Sequence, residues 1–230
     1  MPLKTYNIDL LSFPVIQAEP LTIEAFRPFG SIISPDEELV RSHNDKGVFE
    51  QANYGTAIKF KQVSQIQNLF PQSSSRKKES LNWNIFRCFP QNHLMQYDLL
   101  SSTFTYLTKV LERHPYSSQT FLPMGRSTSI EYGYVVVVAQ DLDNDQDDTK
   151  LPDLNSIKVF ICKNNQAVTY NSNTWHAPMI ALSNLNNTYL NQSDHIDFAV
   201  LIHENGIPND DCQEVYFESG FKISFKNFIK

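Results

Sequence analysis

The chain has 230 residues, of which 41% are hydrophobic, and this length is typical of one globular domain with a substantial core. Its formal net charge of −6 offers no cationic surface for a phosphate backbone, so a nucleic-acid partner is not expected. Sixteen Phe and ten Tyr beside only seven Gly favour aromatic-bearing strands and a mainly β fold.

The first twenty residues contain charged side chains and prolines, so they lack the apolar stretch of a signal peptide. No segment is long and apolar enough to span a membrane. Cys88, Cys162 and Cys212 lie far apart, without close metal-ligand spacing, and are expected to be reduced thiols. We therefore expect a soluble cytoplasmic protein with no membrane partner.

In chain order, the first predicted element is a short helix over residues 23–26, capped by Thr22 and ended by Pro28 and Gly30. Residues 103–114 fit either a strand or a helix, and their Thr and Val content favours the strand.

Three further segments, 132–139, 156–162 and 198–203, are predicted as strands. Their continuous apolar runs indicate burial on both faces. Polar stretches near 72–80, 141–154 and 183–194 are predicted as loop insertions within one domain spanning residues 1–230. The aspartates of residues 141–150 lack the glycine turn and terminal glutamate of a calcium loop, so no chemistry is assigned to them.

The first candidate site residues lie at the end of the strand predicted over residues 103–114. Because side chains alternate along a strand, Glu112 and His114 share one face and Arg113 points to the other. A further histidine, His176, lies between Trp175 and a proline-containing segment. In a barrel, the two distant histidines can meet.

This spacing resembles the cupin metal motif, and the matching positions are Glu112, His114, Gln119 and His176. A glutamate replaces the usual first histidine, and a neutral glutamine replaces the usual carboxylate. The resemblance implies a site for a divalent ion such as nickel, manganese or zinc. A metal-free site built on hydrogen bonds is the alternative.

The chain also resembles the ureidoglycolate lyase family of allantoin degradation, in its fungal form. The residues that carry the resemblance form four ordered stretches: residues 20–30, residues 53–59, Glu112 to Pro115 with Gln119 to Met124, and Trp175 to Pro178. It implies a cupin-like double-stranded β-helix barrel with a few short peripheral helices, assembled as a homodimer.

The resemblance further implies cleavage of (S)-ureidoglycolate to glyoxylate and urea by elimination. His114 or His176 is nominated as the base, with Glu112 as an orienting or acidic partner. A bound metal could instead bind the hydroxyl and lower its pKa.

Substrate binding is assigned to side chains of two kinds. The candidates for the substrate carboxylate are Lys59, Arg87 and Arg113, of which Arg113 has a structural or dimer-interface role as its alternative. Tyr170 and Gln119 are candidates to hydrogen-bond the ureido group.

Two other functions are consistent with the same barrel. A non-catalytic cupin-like binding protein predicts loss of the polar pocket, whereas Glu112, His114, Gln119 and His176 are all present. Another metal-dependent cupin enzyme, such as an isomerase or dioxygenase, predicts a fuller set of histidine ligands than this chain has.

Overall fold

The computed structural model describes residues 1–42, 49–124, 132–142, 150–182 and 195–226. Short helices cover Ile23–Phe26 (α1), Pro35–Ser42 (α2) and Pro208–Asp211 (α3). The strands are Lys4–Tyr6 (β1), Ile16–Pro20 (β2), Gly30–Ile33 (β3), Phe49–Ala52 (β4), Ala57–Phe60 (β5), Ser80–Cys88 (β6), Met95–Asp98 (β7), Thr103–Arg113 (β8), Gln119–Met124 (β9), Tyr132–Ala139 (β10), Lys158–Lys163 (β11), Ala167–Tyr170 (β12), Trp175–His176 (β13), Ile180–Ala181 (β14), Ile196–Glu204 (β15) and Gln213–Lys226 (β16).

Most strands belong to a nine-stranded sheet that closes on itself. Its order is β1-β16-β2-β11-β10-β13-β8-β7, and the ninth strand, β14, pairs with β10 off this path. Because β16 also pairs with β8, a ring is formed by β2, β8, β10, β11, β13 and β16. A five-stranded sheet in the order β3-β12-β9-β15-β6 packs against this ring, while β4 and β5 form a separate hairpin sheet. The predicted mainly β fold with a closed, cupin-like barrel is confirmed.

Two apolar cores lie on the two faces of β10. Val135 and Val137 enter the first core, inside the ring, whereas Val136 and Val138 enter the second core, between the ring and the five-stranded sheet. Because successive side chains of a strand point to opposite faces, a strand between two cores must be apolar at every position. The prediction of burial on both faces of this segment is therefore confirmed.

The local predictions from the sequence also hold where the structure describes them. The Thr22 hydroxyl oxygen accepts a hydrogen bond from the Ala25 backbone amide at 3.3 Å and caps α1. Residues 103–113 form a strand, so the helical alternative is wrong. Residues 158–163 and 196–204 form β11 and β15, close to the bounds predicted for those strands.

The predicted loop insertions are described only in part. Ser73 and Ser75, in the first loop, both donate hydrogen bonds to Asp210 Oδ2 in α3. Residues 143–149 and 183–194 lie outside the described residues, so the insertions and the single-domain extent stay predictions. In the described part of the chain, no helix is both long and apolar enough to cross a membrane.

Candidate active site

The site begins where β8 and β13 meet in the closed sheet. Glu112 pairs directly with His176 across these strands, so their side chains share a face. Residues next to them point to the opposite face, where the Arg113 guanidinium stacks over the Trp175 ring at 4.8 Å. His114 is the residue after β8 and stands two positions from Glu112, which places both side chains on the same face, as predicted.

The five-stranded sheet contributes the facing wall of the site. Gln119 at the start of β9 pairs with Tyr170 at the end of β12, and both side chains are buried. The Tyr170 ring stacks on the His176 ring with centroids 4.1 Å apart and an interplanar angle of 11°. We call the resulting group the central cluster: Glu112, His114, Gln119, Tyr170 and His176.

Backbone carbonyls determine which ring nitrogen of each histidine carries the hydrogen. His114 Nδ1 lies 2.6 Å from the Asp211 carbonyl oxygen, and His176 Nδ1 lies 2.9 Å from that of Thr174. A carbonyl oxygen can only accept, so each Nδ1 carries the hydrogen and donates it. Each Nε2 therefore presents a lone pair.

These lone pairs converge on the other members of the central cluster. His176 Nε2 lies 3.6 Å from Glu112 Oε1 and 3.2 Å from Gln119 Oε1. Because both Nε2 and Oε1 are acceptors, the Gln119 amide donates to His176 only when it is rotated by 180°, which exchanges its oxygen and its NH2 group. His114 Nε2 is buried and has no hydrogen-bond partner among the described residues. Such a nitrogen is available to accept a hydrogen bond or to bind a metal ion.

Burial keeps both histidines neutral. It lowers the pKa of His176 to about 3, and the neighbouring His114 adds to that shift. The pKa of His114 is also lowered by burial, and its hydrogen bond to the Asp211 carbonyl opposes part of the shift. Both rings therefore offer lone pairs, and not positive charge, at neutral pH.

The pKa of Glu112 shifts in the opposite direction, upward. Burial raises the pKa of its carboxyl from 4.5 to about 7, and the negative charge of Glu214 adds to the effect. Its second oxygen, Oε2, lies 4.0 Å from the thiol of Cys212. A carboxyl that titrates near neutral pH can both accept and donate a proton in a reaction.

The central cluster also fits a divalent cation. The ligand atoms of Glu112, His114 and His176 lie within 4.8 Å of one another, and His176 Nε2 lies 3.6 Å from Glu112 Oε1. Two imidazoles and one carboxylate form a donor set that suits first-row transition metals. The fold thus brings together the ligand residues assigned from the sequence, with Gln119 beside His176.

The three predicted cations are not part of this cluster. Arg113 is buried on the opposite face, where its guanidinium donates to Gln213 Oε1, to Asp141 Oδ1 and to the Lys150 carbonyl oxygen. These contacts are those of a structural residue, which was the alternative role predicted for it.

Lys59 and Arg87 lie on other parts of the fold. Lys59 is exposed in the β4–β5 hairpin, 3.4 Å from a carboxylate oxygen of Glu50. Arg87 makes two 2.9 Å hydrogen bonds to Asp197, which is five residues, or about 17 Å, from the part of β15 that pairs with Gln119. Substrate binding by either stays a prediction.

Sequence reasoning missed two residues that adjoin Glu112. Cys212 and Glu214 approach it because β16 pairs with β8 at this point, and Glu112, Cys212 and Glu214 form a second group with ligand atoms within 4.8 Å of one another. No local motif links residues a hundred positions apart, so only the pairing of the strands could have found them.

Comparison with known proteins identifies the family of this chain. A family model described as ureidoglycolate lyase matches residues 13–224. This chain belongs to the ureidoglycolate lyase family. Ureidoglycolate lyase of Saccharomyces cerevisiae is 46% identical over 211 residues, covering 89% of this chain and 95% of that protein.

More distant members of the family are also similar over nearly their whole length. Ureidoglycolate lyase of Schizosaccharomyces pombe is 34% identical, covering 92% of this chain and 96% of that protein. Ureidoglycolate lyase 1 of Rhizobium meliloti is 27% identical, covering 91% and 93%. The family resemblance predicted from four short stretches is therefore confirmed across the domain.

Proposed function

We propose that this protein is a ureidoglycolate lyase, which splits (S)-ureidoglycolate into glyoxylate and urea in allantoin degradation. The observation that carries the proposal is the central cluster, in which a carboxyl of raised pKa and two neutral histidines meet in a member of this family. A binding protein that had lost its chemistry is expected to have lost the polar pocket, whereas Glu112, His114 and His176 lie together here.

The reaction needs one proton to move between two atoms on the same carbon. The hydroxyl loses its proton as the carbonyl of glyoxylate forms, the carbon–nitrogen bond breaks, and the departing nitrogen gains a proton so that urea leaves neutral. A single side chain beside that carbon can accept the first proton and return it to the nitrogen.

The pKa directions favour Glu112 for this transfer. A histidine whose pKa has fallen to about 3 is a weak base at neutral pH, whereas Glu112 titrates near 7. This division of roles differs from the one predicted from the sequence, in which a histidine was the base. In the proposed mechanism, Glu112 takes the hydroxyl proton, and the Nε2 atoms of His114 and His176, which can only accept, bind hydrogen-bond donors of the substrate.

A divalent cation, nickel, manganese or zinc, would be held by Glu112, His114 and His176, with Gln119 beside them. When bound, such a cation supplies a Lewis acid that lowers the pKa of a hydroxyl group. The neutral state of both histidines favours its binding, because protons do not compete for their Nε2 atoms.

The proposed function is tested with the purified protein. We expect release of equal amounts of urea and glyoxylate from the S enantiomer, above the spontaneous rate, and little from the R enantiomer. The assay is repeated after chelation and after return of each metal. Absence of enantioselective urea release from every metal-loaded form would overturn the lyase assignment.

Tyr170→Phe gives a narrower prediction. The hydroxyl of Tyr170 is buried and has no partner among the described residues, while its ring holds His176 by stacking. Phenylalanine keeps the stack and removes the orphan hydroxyl, so we expect unchanged or higher thermal stability. If the hydroxyl binds the ureido group, kcat/KM falls roughly 10-fold. Unchanged kcat/KM would remove Tyr170 from the substrate-binding set.

We further propose that the protein is a homodimer that associates through β6. This strand lies at the edge of the five-stranded sheet and exposes Leu81, Trp83 and Ile85 on one face. An exposed apolar edge strand of nine residues favours pairing with a second copy. A cytoplasmic location stays a prediction from the sequence.

Trp83→Lys tests the dimer. Trp83 is 61% exposed at the centre of the apolar strand face, so a charge there should shift the protein to monomers in analytical ultracentrifugation. Leu11→Lys is the matched control, because Leu11 is 97% exposed outside β6. A wild-type protein that sediments as a monomer contradicts the proposal directly.

A further inference from the structure

A second polar group lies beside the central cluster on the five-stranded sheet. Ile202 of β15 pairs with Gln119 on one side and with Asn82 of β6 on the other. Directly paired residues share a face, and alternation places Glu204 and Asn84 on that same face. The Gln119 wall of the site therefore continues into a glutamate and two asparagines.

The two asparagines hold the Glu204 carboxylate by one of its oxygens. Asn84 Nδ2 donates to Glu204 Oε2 at 3.1 Å, and Asn82 Nδ2 lies 3.4 Å from the same oxygen. All three side chains are partly buried. Among the described residues, none donates a hydrogen bond to Glu204 Oε1, so this oxygen is left for another donor.

Glu204 lies close to the central cluster along β15. It is two residues from Ile202, which pairs with Gln119, so it is about 7 Å along the strand from that position. A substrate bound at the cluster can therefore extend along this wall toward Glu204.

We propose that Glu204, oriented by Asn82 and Asn84, binds the terminal amino group of the ureido moiety and makes the site specific for it. The inference rests on the proposed lyase function. That amino group offers two N–H donors, which a carboxylate oxygen accepts.

Only a carboxylate can satisfy both sets of donors at this position. The asparagine amides need an acceptor at one oxygen, and the ureido amino group needs an acceptor at the other. In Glu204→Gln, one of the two positions becomes an NH2 group, so a donor faces a donor in either orientation of the amide. The substitution keeps the size of the side chain and removes the complementarity.

The test compares two substrates in the metal-loaded, full-length protein. One is ureidoglycolate, and the other is α-hydroxy-N-acetylglycine, which has the same carbinolamide and carboxylate but a methyl group in place of the terminal amino group. Both release glyoxylate. We expect Glu204→Gln to lower kcat/KM for ureidoglycolate by roughly 10- to 100-fold and to change that for the acetyl analogue less than about threefold.

Controls separate this inference from the proposed function and from misfolding. Glu218→Gln makes the same charge change at an exposed position of β16 and should keep the wild-type preference. A thermal unfolding experiment shows whether Glu204→Gln is folded. If it is not, Glu204→Asp is used instead. Aspartate withdraws the carboxylate by one methylene, so this variant should also reduce the preference for ureidoglycolate over the acetyl analogue.

A wild-type preference for ureidoglycolate that is unchanged in the folded Glu204 variant overturns the role of Glu204 and leaves the lyase assignment intact. A wild-type protein that releases no urea sinks the lyase assignment, and the role of Glu204 falls with it.

Discussion

Replacing His114 with alanine is expected to lower kcat for ureidoglycolate by about 10³-fold, within the range that positioned acid–base and binding groups contribute. The variant loses a buried Nε2 lone pair that has no partner among the described residues. The ring is fixed for this task by its 2.6 Å hydrogen bond to the Asp211 carbonyl oxygen. Steady-state urea release measures the effect, and far-ultraviolet circular dichroism verifies the fold.

His93→Ala is the matched control for this substitution. His93 is exposed in a short 3-10 segment before β7, so its loss should leave kcat within twofold of the wild-type value. If His114→Ala has the wild-type fold but turns over ureidoglycolate at a near-normal rate, His114 takes no part in catalysis or substrate binding.

Local pattern was enough to predict four of the strands, β8, β10, β11 and β15, and the halves of the site. The apolar run of residues 132–139 gave β10 because both of its faces meet a core. Alternation at the end of β8 correctly separated Glu112 and His114 from Arg113, since each residue of a strand turns its side chain to the opposite face.

What could not be predicted depends on contacts between distant strands. The stacking of Tyr170 on His176 and the approach of Glu214 to Glu112 come from the pairing of strands and the packing of sheets. The roles of these residues in proton transfer depend on the same packing. A histidine pKa near working pH was assumed from the isolated side chain, whereas burial in the folded protein lowers the pKa of His176 to about 3.

Glu112→Gln is expected to abolish activity while raising the stability of the metal-free protein at alkaline pH. Glu112 has a pKa of about 7 in the folded protein against an ordinary value of 4.5. Its contribution to stability is therefore fully present below pH 4.5 and is lost as the pH rises through 7. Glutamine keeps the shape of the protonated form at all pH values, so above pH 7 the variant should gain roughly 3 kcal/mol in free energy of unfolding.

The gain is measured by urea denaturation of chelated wild-type and variant proteins at pH 4.5, 6 and 8. It should be near zero at pH 4.5 and largest at pH 8, because only the ionised carboxylate is poorly solvated beside Glu214. Glu218→Gln, which removes an exposed carboxylate, should show no such pH dependence. A wild-type protein as stable as the variant at pH 8 would mean that Glu112 ionises there without cost, and the proton-transfer role proposed for it would lose its physical basis.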